Sequence, residues 1–238
     1  MIRVELPGAE IVFSTREGGV SDGSFSSLNL GLLTGDDRGL VIENRHRFAA
    51  EAGVERERVA MGWQVHGTDV NEWTEPDPDP AFLDPQGGRL KVDGHRTQVP
   101  GLGLLVLVAD CLPVALVGDG AVAMVHCGWR GLAGGIIGKA AAMFGDAPAS
   151  AAAVGPGIGR CCYEVGEEVA REFAAYDGAV DGRMLDLRAI ADAQLRAAGI
   201  EQVEHVDLCT SCREDLFFSH RRDRGVTGRQ GGMVWLSA

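Results

Sequence analysis

The chain has 238 residues, of which 45% are hydrophobic and 24% are charged, a composition typical of a folded globular protein. The formal net charge of -12 argues against a general nucleic-acid binder or an anionic-membrane binder, because both need a basic surface. No apolar run approaches the roughly 20 residues that span a bilayer, and the N-terminus lacks the pattern of a secretory leader. We therefore expect a single cytoplasmic domain over residues 1–238, monomeric, with reduced cysteines and with neither nucleic acid nor membrane as a partner.

The first elements predicted along the chain are a strand and an amphipathic helix. The strand lies around residues 11–14 and is followed by a glycine-rich loop. The helix begins near Gly39, repeats apolar residues at helical spacing and stops at Gly53. Its other face carries Asn44, Arg45 and His46, and the pattern alone favours a solvated face.

A strand that ends in a turn is predicted next, over residues 59–70, with Gln64 and His66 at the turn. Residues 75–88 are rich in proline and aspartate, which predicts a surface loop. A second turn follows at Asp93, where an Asp-Gly pair leads into the most apolar part of the chain.

This apolar part, residues 104–132, predicts adjacent strands and a hairpin. Its three apolar runs cover residues 106–109, 114–117 and 121–125. Asp110 and Cys111 follow the first run, and His126 follows the third. Strand ends are where a scaffold presents chemistry, so these three residues are candidate site residues. Arg130 lies in the glycine-rich segment that leads from His126 into a helical pattern at residues 132–144.

The second half of the chain predicts covering helices and closing strands. Residues 155–159 read G-x-G-x-G and miss the dinucleotide-binding fingerprint by one position, so we set a nucleotide-binding βαβ unit aside. Helical spacing recurs at residues 165–173 and 187–198, the latter with Asp186 as N-cap and Gly199 as stop. A strand precedes Cys209, and a final strand lies near residues 233–236.

Three residues at strand-to-turn junctions could bind a metal ion. His66, Cys111 and His126 form a soft ligand set that suits zinc with one coordination position left open. An open zinc site activates water at neutral pH. Spacing alone leaves a second interpretation open, in which the cysteine is a core residue and both histidines are simply hydrogen-bonded.

The same atoms suit a second kind of chemistry. Cys111 could be a nucleophile, activated by His126 and oriented by Asp110 or Asp93, as in cysteine hydrolases. In that case the thiolate attacks carbon instead of binding a metal.

Two further clusters are visible in the C-terminal part. Cys209 and Cys212 form a CxxC pair that could join His205 and His220, but a single CxxC lacks the second half of a zinc ribbon or finger, which disfavours a metal there. The second cluster is a possible anion site. Its candidate arginines are Arg221, Arg222 and Arg229, with Arg16, Arg45 and Arg130.

A series of motifs carries a family resemblance. TREGGVS, NLGL, GDD and ENR are followed in order by QVHGTDV, ADCLPV, HCGWRGL, GPGIGRCCYEVGEEV, CT, FFSHRRD and TGR. This ordered set closely resembles the YfiH family, formerly described as a multicopper polyphenol oxidase or laccase family. The resemblance covers nearly the whole chain, and His220 stands where tyrosine is common in the family.

The resemblance implies a mixed α/β (α+β) fold, a four-layer α/β/β/α sandwich. It implies phosphorolysis of purine nucleosides (adenosine, inosine, guanosine and S-methyl-5'-thioadenosine) by phosphate, and deamination of adenosine to inosine. It also places one zinc ion per chain on His66, Cys111 and His126. Copper is not expected, because the chain has six histidines and no HxH pair, whereas four-copper oxidases use many such pairs.

The mechanism expected from this combination uses a metal-activated water for deamination, with Asp110 or Asp93 moving the proton. For phosphorolysis we expect Arg45 to contact phosphate, with Arg130 and Arg221 as further contacts, because the guanidinium fork suits phosphate. Gln64 is an expected substrate contact.

An alternative enzyme class remains open. The family resembles, at the level of fold, a Rho-deamidating toxin with a cysteine–histidine pair. One branch of the family edits peptidoglycan precursors by removing a misincorporated L-serine from UDP-MurNAc-L-Ser. The alternative function is therefore an amidohydrolase that uses Cys111 or zinc.

Overall fold

The computed structural model describes residues 1–77, 81–83 and 90–237. Most of the surface loop predicted at residues 75–88 lies outside these ranges. The α-helices of the described residues are α1 (Arg38–Ala52), α2 (Trp129–Ala133), α3 (Ile136–Ala142), α4 (Glu167–Glu172) and α5 (Leu187–Ala197). The strands are β1 (Ile2–Leu6), β2 (Ala9–Phe13), β3 (Val59–Ala60), β4 (Val70–Trp73), β5 (Gly94–Thr97), β6 (Gly103–Val108), β7 (Leu112–Gly118), β8 (Ala121–Cys127), β9 (Ala149–Val154), β10 (Val180–Asp181), β11 (Met184–Leu185), β12 (Gln202–His205) and β13 (Gln230–Leu236).

Two sheets form the centre of the fold. The first has the strand order β1-β2-β13-β6-β3, and the second has the order β12-β9-β7-β8-β5-β4. Neighbouring strands are antiparallel except for the pairs β3–β6, β12–β9 and β4–β5. The chain's last strand, β13, lies in the middle of the first sheet, where Val234 is opposite Ile11 on one side and Leu104 on the other.

The two sheets pack face to face, and helices cover both outer faces. Phe13 and Val106 of the first sheet meet Met124 and other residues of the second sheet in the central layer. The opposite face of the first sheet packs on α1 through Phe48, and that of the second sheet packs on α3 and α5. Period-two alternation within each strand supplies these faces. The four-layer α/β/β/α sandwich is thus confirmed.

Local signals place the helix ends. The Asp37 side chain accepts hydrogen bonds from the first turn of α1, and Gly53 ends this helix with φ of 81°. Asp186 caps α5 in the same way, as predicted, and Gly199 follows that helix with φ of 81°. The helix predicted at residues 132–144 is divided into α2 and α3, because Gly135 between them has φ of 74°.

The polar face predicted for α1 is solvated only in part. His46 is exposed, but Asn44 and Arg45 are buried. Asn44 donates to Ser21 Oγ and to the Asn29 carbonyl, at 2.8 and 3.0 Å. The prediction of a solvated face is therefore wrong for Asn44 and Arg45, because a loop from the first forty residues folds over this helix and satisfies its polar groups.

The central apolar stretch also differs from its predicted arrangement. Strands β7 and β8 form the expected hairpin, but β6 belongs to the other sheet, so β6 and β7 are not neighbours. The chain crosses from one sheet to the other at residues 109–111, where Asp110 has φ of 94°. This crossover sets Asp110 and Cys111 at an edge shared by both sheets. Among the described residues, no helix has the length and apolar character needed to cross a bilayer.

Candidate active site

Three side chains with metal-binding atoms meet beside the sheet crossover. His66 comes from the loop after β3, Cys111 from the crossover itself, and His126 from β8. Their donor atoms all lie within 4.8 Å of one another. His66 is exposed, Cys111 is partly buried and His126 is buried. The structure therefore brings together the three predicted ligands, which are separated by up to 60 positions in the chain, in an arrangement that could hold a metal ion with an open side.

Asp93 accepts hydrogen bonds from two of these three residues. One oxygen of its fully buried carboxylate accepts from the His126 Nδ1 at 2.8 Å and from the His66 backbone N–H at 2.9 Å. The other accepts from the N–H groups of Val65 and Gly67, at 3.0 and 2.7 Å. The loop that carries His66, which has φ of 59°, is thereby wrapped around a single carboxylate. Because Asp93 occupies Nδ1 of His126, it leaves Nε2 of that ring available for a metal ion.

A glycine allows the ligands to come this close. A Cβ atom at position 128 would lie 2.9 Å from Cys111 Sγ and 3.2 Å from His66 Cδ2. Gly128 precedes α2, so any larger residue there would push into the cluster. The ring centroids of His66 and His126 are 4.8 Å apart, with the planes at 76°.

The charges of the cluster favour a thiolate. Burial opposes ionisation of Cys111, but His126 and His66 outweigh it and lower the pKa of this thiol to about 6. Burial likewise opposes protonation of His126, but the Cys111 thiolate and Asp93 raise its pKa to about 9. The metal-free cluster is thus a thiolate–imidazolium pair at neutral pH. Thiolate is the form that binds metal and the form that attacks carbon.

Asp110 borders the same space. Its Oδ1 accepts from Thr210 Oγ1 and its Oδ2 accepts from the backbone N–H of Arg221, both at 2.7 Å. These contacts connect the crossover to the C-terminal loops of the chain. Asp110 lines the main cavity, whereas Asp93 does not. Of the two carboxylates proposed for proton transfer, Asp110 therefore has access to a ligand, and the geometry favours a positioning role for Asp93.

The donor cluster opens into a cavity of about 550 Å³. This volume falls within the range of roughly 300–1,000 Å³ typical of small-molecule sites. Aromatic side chains line it, together with residues 31–34. The aromatic and imidazole rings are those of Trp63, Trp129, Tyr163 and His220. Flat apolar walls with a polar cluster at one end suit a planar heteroaromatic ligand with a polar substituent.

Four arginines line the cavity, namely Arg45, Arg130, Arg221 and Arg229. Arg45 is 3% exposed. Its Nε donates to the Leu30 carbonyl at 2.8 Å, and its Nη1 donates to the carbonyls of Ala81 and Phe82 at 3.0 and 2.8 Å. These bonds connect α1 to two loops. Arg45 is therefore a structural link as well as a lining residue, which weakens its predicted role as the first phosphate contact.

Arg130 is the most available of these cations. Its guanidinium lies over the Trp129 ring, 4.2 Å from the centroid, and donates no hydrogen bond to the described part of the chain. Arg221 lies over Tyr163 at 5.1 Å and donates from Nη1 to the Glu164 carbonyl. Arg229 donates from Nη1 to the carbonyls at 227 and 228. Stacked guanidiniums with unused N–H groups suit the capture of a small anion.

The other two candidate arginines, Arg222 and Arg16, make contacts within the fold. Arg222 donates to the carbonyls of Thr210 and Phe217 and pairs with Asp223, and it does not line the cavity. Arg16 lies over the Phe218 ring and donates to the Ser26 carbonyl. Of the arginines predicted for an anion site, Arg130, Arg221 and Arg229 therefore line the cavity with Arg45, whereas Arg16 and Arg222 do not.

Gln64 lines the cavity but is held by backbone. Its amide both donates to the Leu107 carbonyl at 2.7 Å and accepts from the Leu107 N–H at 2.8 Å, as a strand neighbour would. Sequence reasoning gave no role to Tyr163 and Trp129, although both lie inside motifs that it singled out. Burial and the Cys111 thiolate raise the pKa of Tyr163 to about 12, so this phenol remains a hydrogen-bond donor at neutral pH.

Comparison with known proteins gives consistent results. Residues 10–237 match the family described as multi-copper polyphenol oxidoreductase laccase. The chain is 40% identical to the purine nucleoside phosphorylase YlmD of Geobacillus stearothermophilus, over 93% of this chain and 88% of that protein. It is 36% identical to the purine nucleoside phosphorylase YfiH of Escherichia coli, over 96% and 94% of the two chains. The crystal structure of the Geobacillus protein superposes with a TM-score of 0.87 at 36% identity, covering 97% of this chain and 93% of that one.

Proposed function

This chain belongs to the multi-copper polyphenol oxidoreductase laccase family, the family of YlmD and YfiH, and from that membership we propose that it is a purine nucleoside phosphorylase. The observation that carries the proposal is the cavity in which the cluster of His66, Cys111 and His126 meets aromatic walls and available arginines. We propose adenosine, inosine, guanosine and S-methyl-5'-thioadenosine as substrates, with phosphate as the second substrate. The protein acts as a cytoplasmic, single-domain monomer.

Phosphorolysis needs an anion held beside the sugar and a base held in place. Trp129 and Tyr163 line the cavity as aromatic walls for a purine, and Arg130 and Arg221 cover one face of Trp129 and of Tyr163, respectively. A phosphate bound by these guanidiniums would be adjacent to the ligand's sugar end. Its oxygen forms a bond to C1' while the bond from C1' to the purine nitrogen breaks, and the electron pair leaves with the base. Arginine contributes by holding phosphate in line and balancing its charge.

The leaving purine must gain a proton. Asp110 is the one carboxylate among the described residues that line the cavity, so it is the candidate to pass on the proton that the attacking dihydrogen phosphate gives up as its oxygen binds C1'. Thr210 and the Arg221 backbone hold its two oxygens in fixed positions. Asp93 acts differently, as a positioning residue, because its oxygens already accept four hydrogen bonds.

The metal that best fits His66, Cys111 and His126 is zinc, one ion per chain, because two imidazoles and one thiolate leave its fourth position open. Four-copper oxidation does not fit, since two of the six histidines in the chain are at this cluster and no HxH pair occurs. When bound, zinc would supply a Lewis acid for the deamination of adenosine to inosine. We propose this deamination as a second reaction of the same cavity, with Asp110 moving the proton to the departing ammonia.

Chromatography of purified protein with adenosine tests both reactions. Ribose 1-phosphate should form in an amount equal to adenine plus hypoxanthine, because inosine made by deamination is itself a substrate, and all three should form only when phosphate is present. Inosine should form with or without phosphate. A protein that releases adenine at the same rate without phosphate is a hydrolase, and one that leaves every nucleoside intact is not a nucleoside enzyme; either result would overturn the proposal.

The metal ligands have a matched control. Cys111→Ala should lose turnover and the zinc ion of the cavity cluster. Cys127→Ala removes a neighbouring thiol from the helix-side core, outside the cavity, and should keep both. Loss of zinc and activity in both variants would indicate a general folding effect and would contradict the assignment.

One observation favours an amidohydrolase as a second candidate. Cys111, His126 and Asp93 stand in the order of a nucleophile, its base and the group that orients the base. The substrate would then be an amide such as UDP-MurNAc-L-Ser. Cys111→Ala distinguishes the two functions, because a variant that keeps the zinc ion of the cavity cluster and loses only amide cleavage supports the nucleophile. Turnover of the amide substrate by wild-type protein, with nucleosides inert, would establish this alternative.

A further inference from the structure

Four cysteines form a second cluster at the surface, distinct from the one in the cavity. Cys161 and Cys162 lie on one turn and Cys209 and Cys212 on another, and their four sulfurs are all within 4.8 Å of one another. Cys212 Sγ is 3.6 Å from Cys161 Sγ and 3.4 Å from Cys162 Sγ. Four thiolates around one zinc ion, with bonds of about 2.3 Å, would have sulfurs about 3.8 Å apart. The observed separations match such a site.

The two turns are held side by side by backbone. The Thr210 N–H donates to the Gly157 carbonyl at 3.1 Å, and residues 157 and 209 form a parallel bridge. The Cys162 N–H closes the first turn on Gly159, and the Arg213 N–H closes the second on Cys209. A Cβ atom at Gly159 would lie 3.2 Å from Cys161 Sγ, so glycine keeps space beside the sulfurs. These backbone hydrogen bonds therefore bring the four sulfurs together.

Backbone donors also point at the innermost sulfur. The Gly159 N–H donates to Cys209 Sγ at 3.2 Å. The backbone N–H groups of Cys212 and Ser211 also act on this sulfur. N–H groups directed at a CxxC sulfur support the charged thiolate that a metal needs.

We propose that Cys161, Cys162, Cys209 and Cys212 form a second metal site, a tetrathiolate site for one zinc ion, whose role is structural. All four coordination positions are filled by protein, which is the arrangement of a structural site rather than a catalytic one. Binding releases the thiol protons to solvent and forms four sulfur–zinc bonds, with no change of oxidation state.

The site would join two loops that border the cavity. Thr210, next to Cys209, donates to Asp110, and Tyr163, next to Cys162, lines the cavity. A zinc clip between the turns would therefore fix both residues relative to the sheet crossover. The inference does not depend on the proposed phosphorylase activity, because it concerns metal content and the state of these thiols.

Metal analysis of protein purified anaerobically under reducing conditions tests the site. The variant Cys161→Ser/Cys212→Ser changes the two exposed thiols, one on each turn. We expect wild-type protein to hold one zinc more per chain than this variant. Ser211→Ala, a change between the two cysteines of the same turn, should retain the wild-type zinc content. Because the test compares the zinc contents of wild-type protein and the double variant, its outcome is independent of how much metal the cavity cluster binds.

A second measurement uses wild-type protein and needs no variant to fold. Cys161 and Cys212 should resist alkylation by iodoacetamide until a chelator removes the metal, and added Zn²⁺ alone should restore the protection. Cobalt added to chelator-treated protein should give the near-ultraviolet absorption of thiolate bound to Co²⁺, and the double variant should lose most of it. The proposal is overturned if the zinc contents are equal, if both thiols react equally before and after chelation, or if a disulfide joins any two of the four cysteines.

Discussion

Replacing Asp93 tests how the active-site cluster is held. The two carboxylate oxygens accept two hydrogen bonds each, one from the His66 N–H and His126, the other from the N–H groups of Val65 and Gly67. In Asp93→Asn, one of these oxygens becomes an amide nitrogen, which leaves two donors without an acceptor. We expect the amide nitrogen to face the N–H groups of Val65 and Gly67, because these two donors are nearer solvent. Loss of their hydrogen bonds should lower the free energy of unfolding by about 2–3 kcal/mol.

The same substitution should weaken metal binding. The amide side chain of the Asp93→Asn variant would hold His126 without a negative charge, and loss of such an outer hydrogen bond costs about 10–100-fold in metal affinity. Urea unfolding of the metal-free protein measures the stability, and competition with a chelator measures the zinc affinity. Asp119→Asn is the matched control, because Asp119 is also followed by glycine but lies exposed in the β7–β8 turn. Wild-type stability and wild-type zinc affinity in Asp93→Asn would refute the positioning role.

Three other predictions concern the Cys111 thiol, the buried His95 and Gly128. In chelator-treated protein, alkylation of Cys111 should be half-maximal near pH 6, the value to which its pKa is lowered, and His126→Gln should move this midpoint upward. Burial lowers the pKa of His95 to about 4, so only the unfolded chain gains this proton between about pH 6.5 and 4. Stability should be full above that window and decline by about 3 kcal/mol as the pH falls through it. Gly128→Ala should lose metal and activity, because the new methyl group would collide with Cys111, whereas Gly138→Ala on α3 has open space and should be neutral or slightly stabilising.

Each of these has a result that would contradict it. For Cys111, that result is an alkylation midpoint at the ordinary thiol value in metal-free protein. His95→Gln should flatten the acid decline measured by urea unfolding without metal, so an unchanged slope would exclude His95 as its source. Retention of wild-type metal content by Gly128→Ala would mean that the cluster has more space than the structure shows.

Much of the local structure could be predicted from the sequence. Asp186 and Gly199 delimit α5 because a capping carboxylate and a residue with positive φ act on the neighbouring turn alone. The β7–β8 hairpin was readable for the same reason, since its turn lies between two apolar runs. Arg45 was not, because burial of its guanidinium depends on carbonyls of residues 30, 81 and 82, which no periodicity of α1 reveals.

The candidate site was predictable as residue types but not as contacts. His66, Cys111 and His126 could be identified as candidate metal ligands from their motifs, whereas the contacts of Asp93 depend on a loop that wraps around its carboxylate. Sequence reasoning did not join Cys161 and Cys162 to the CxxC pair, because no spacing rule connects Cys162 to Cys212. Their sulfurs meet only because strands β9 and β12 are parallel neighbours, which sets the turns that follow them side by side.

The sequence by itself determined the helix ends, the hairpin, the apolar strands and the chemical types of the site residues, since each depends on neighbours a few positions away. Tertiary structure alone decided that β6 and β7 belong to different sheets and that β13 is inserted between β2 and β6. The physical reason is that strands buried on both faces are apolar throughout, so their residues carry little information about which strand pairs with which. Pairing is settled by packing of the whole chain, and that packing brings His66 to Cys111 at the sheet crossover.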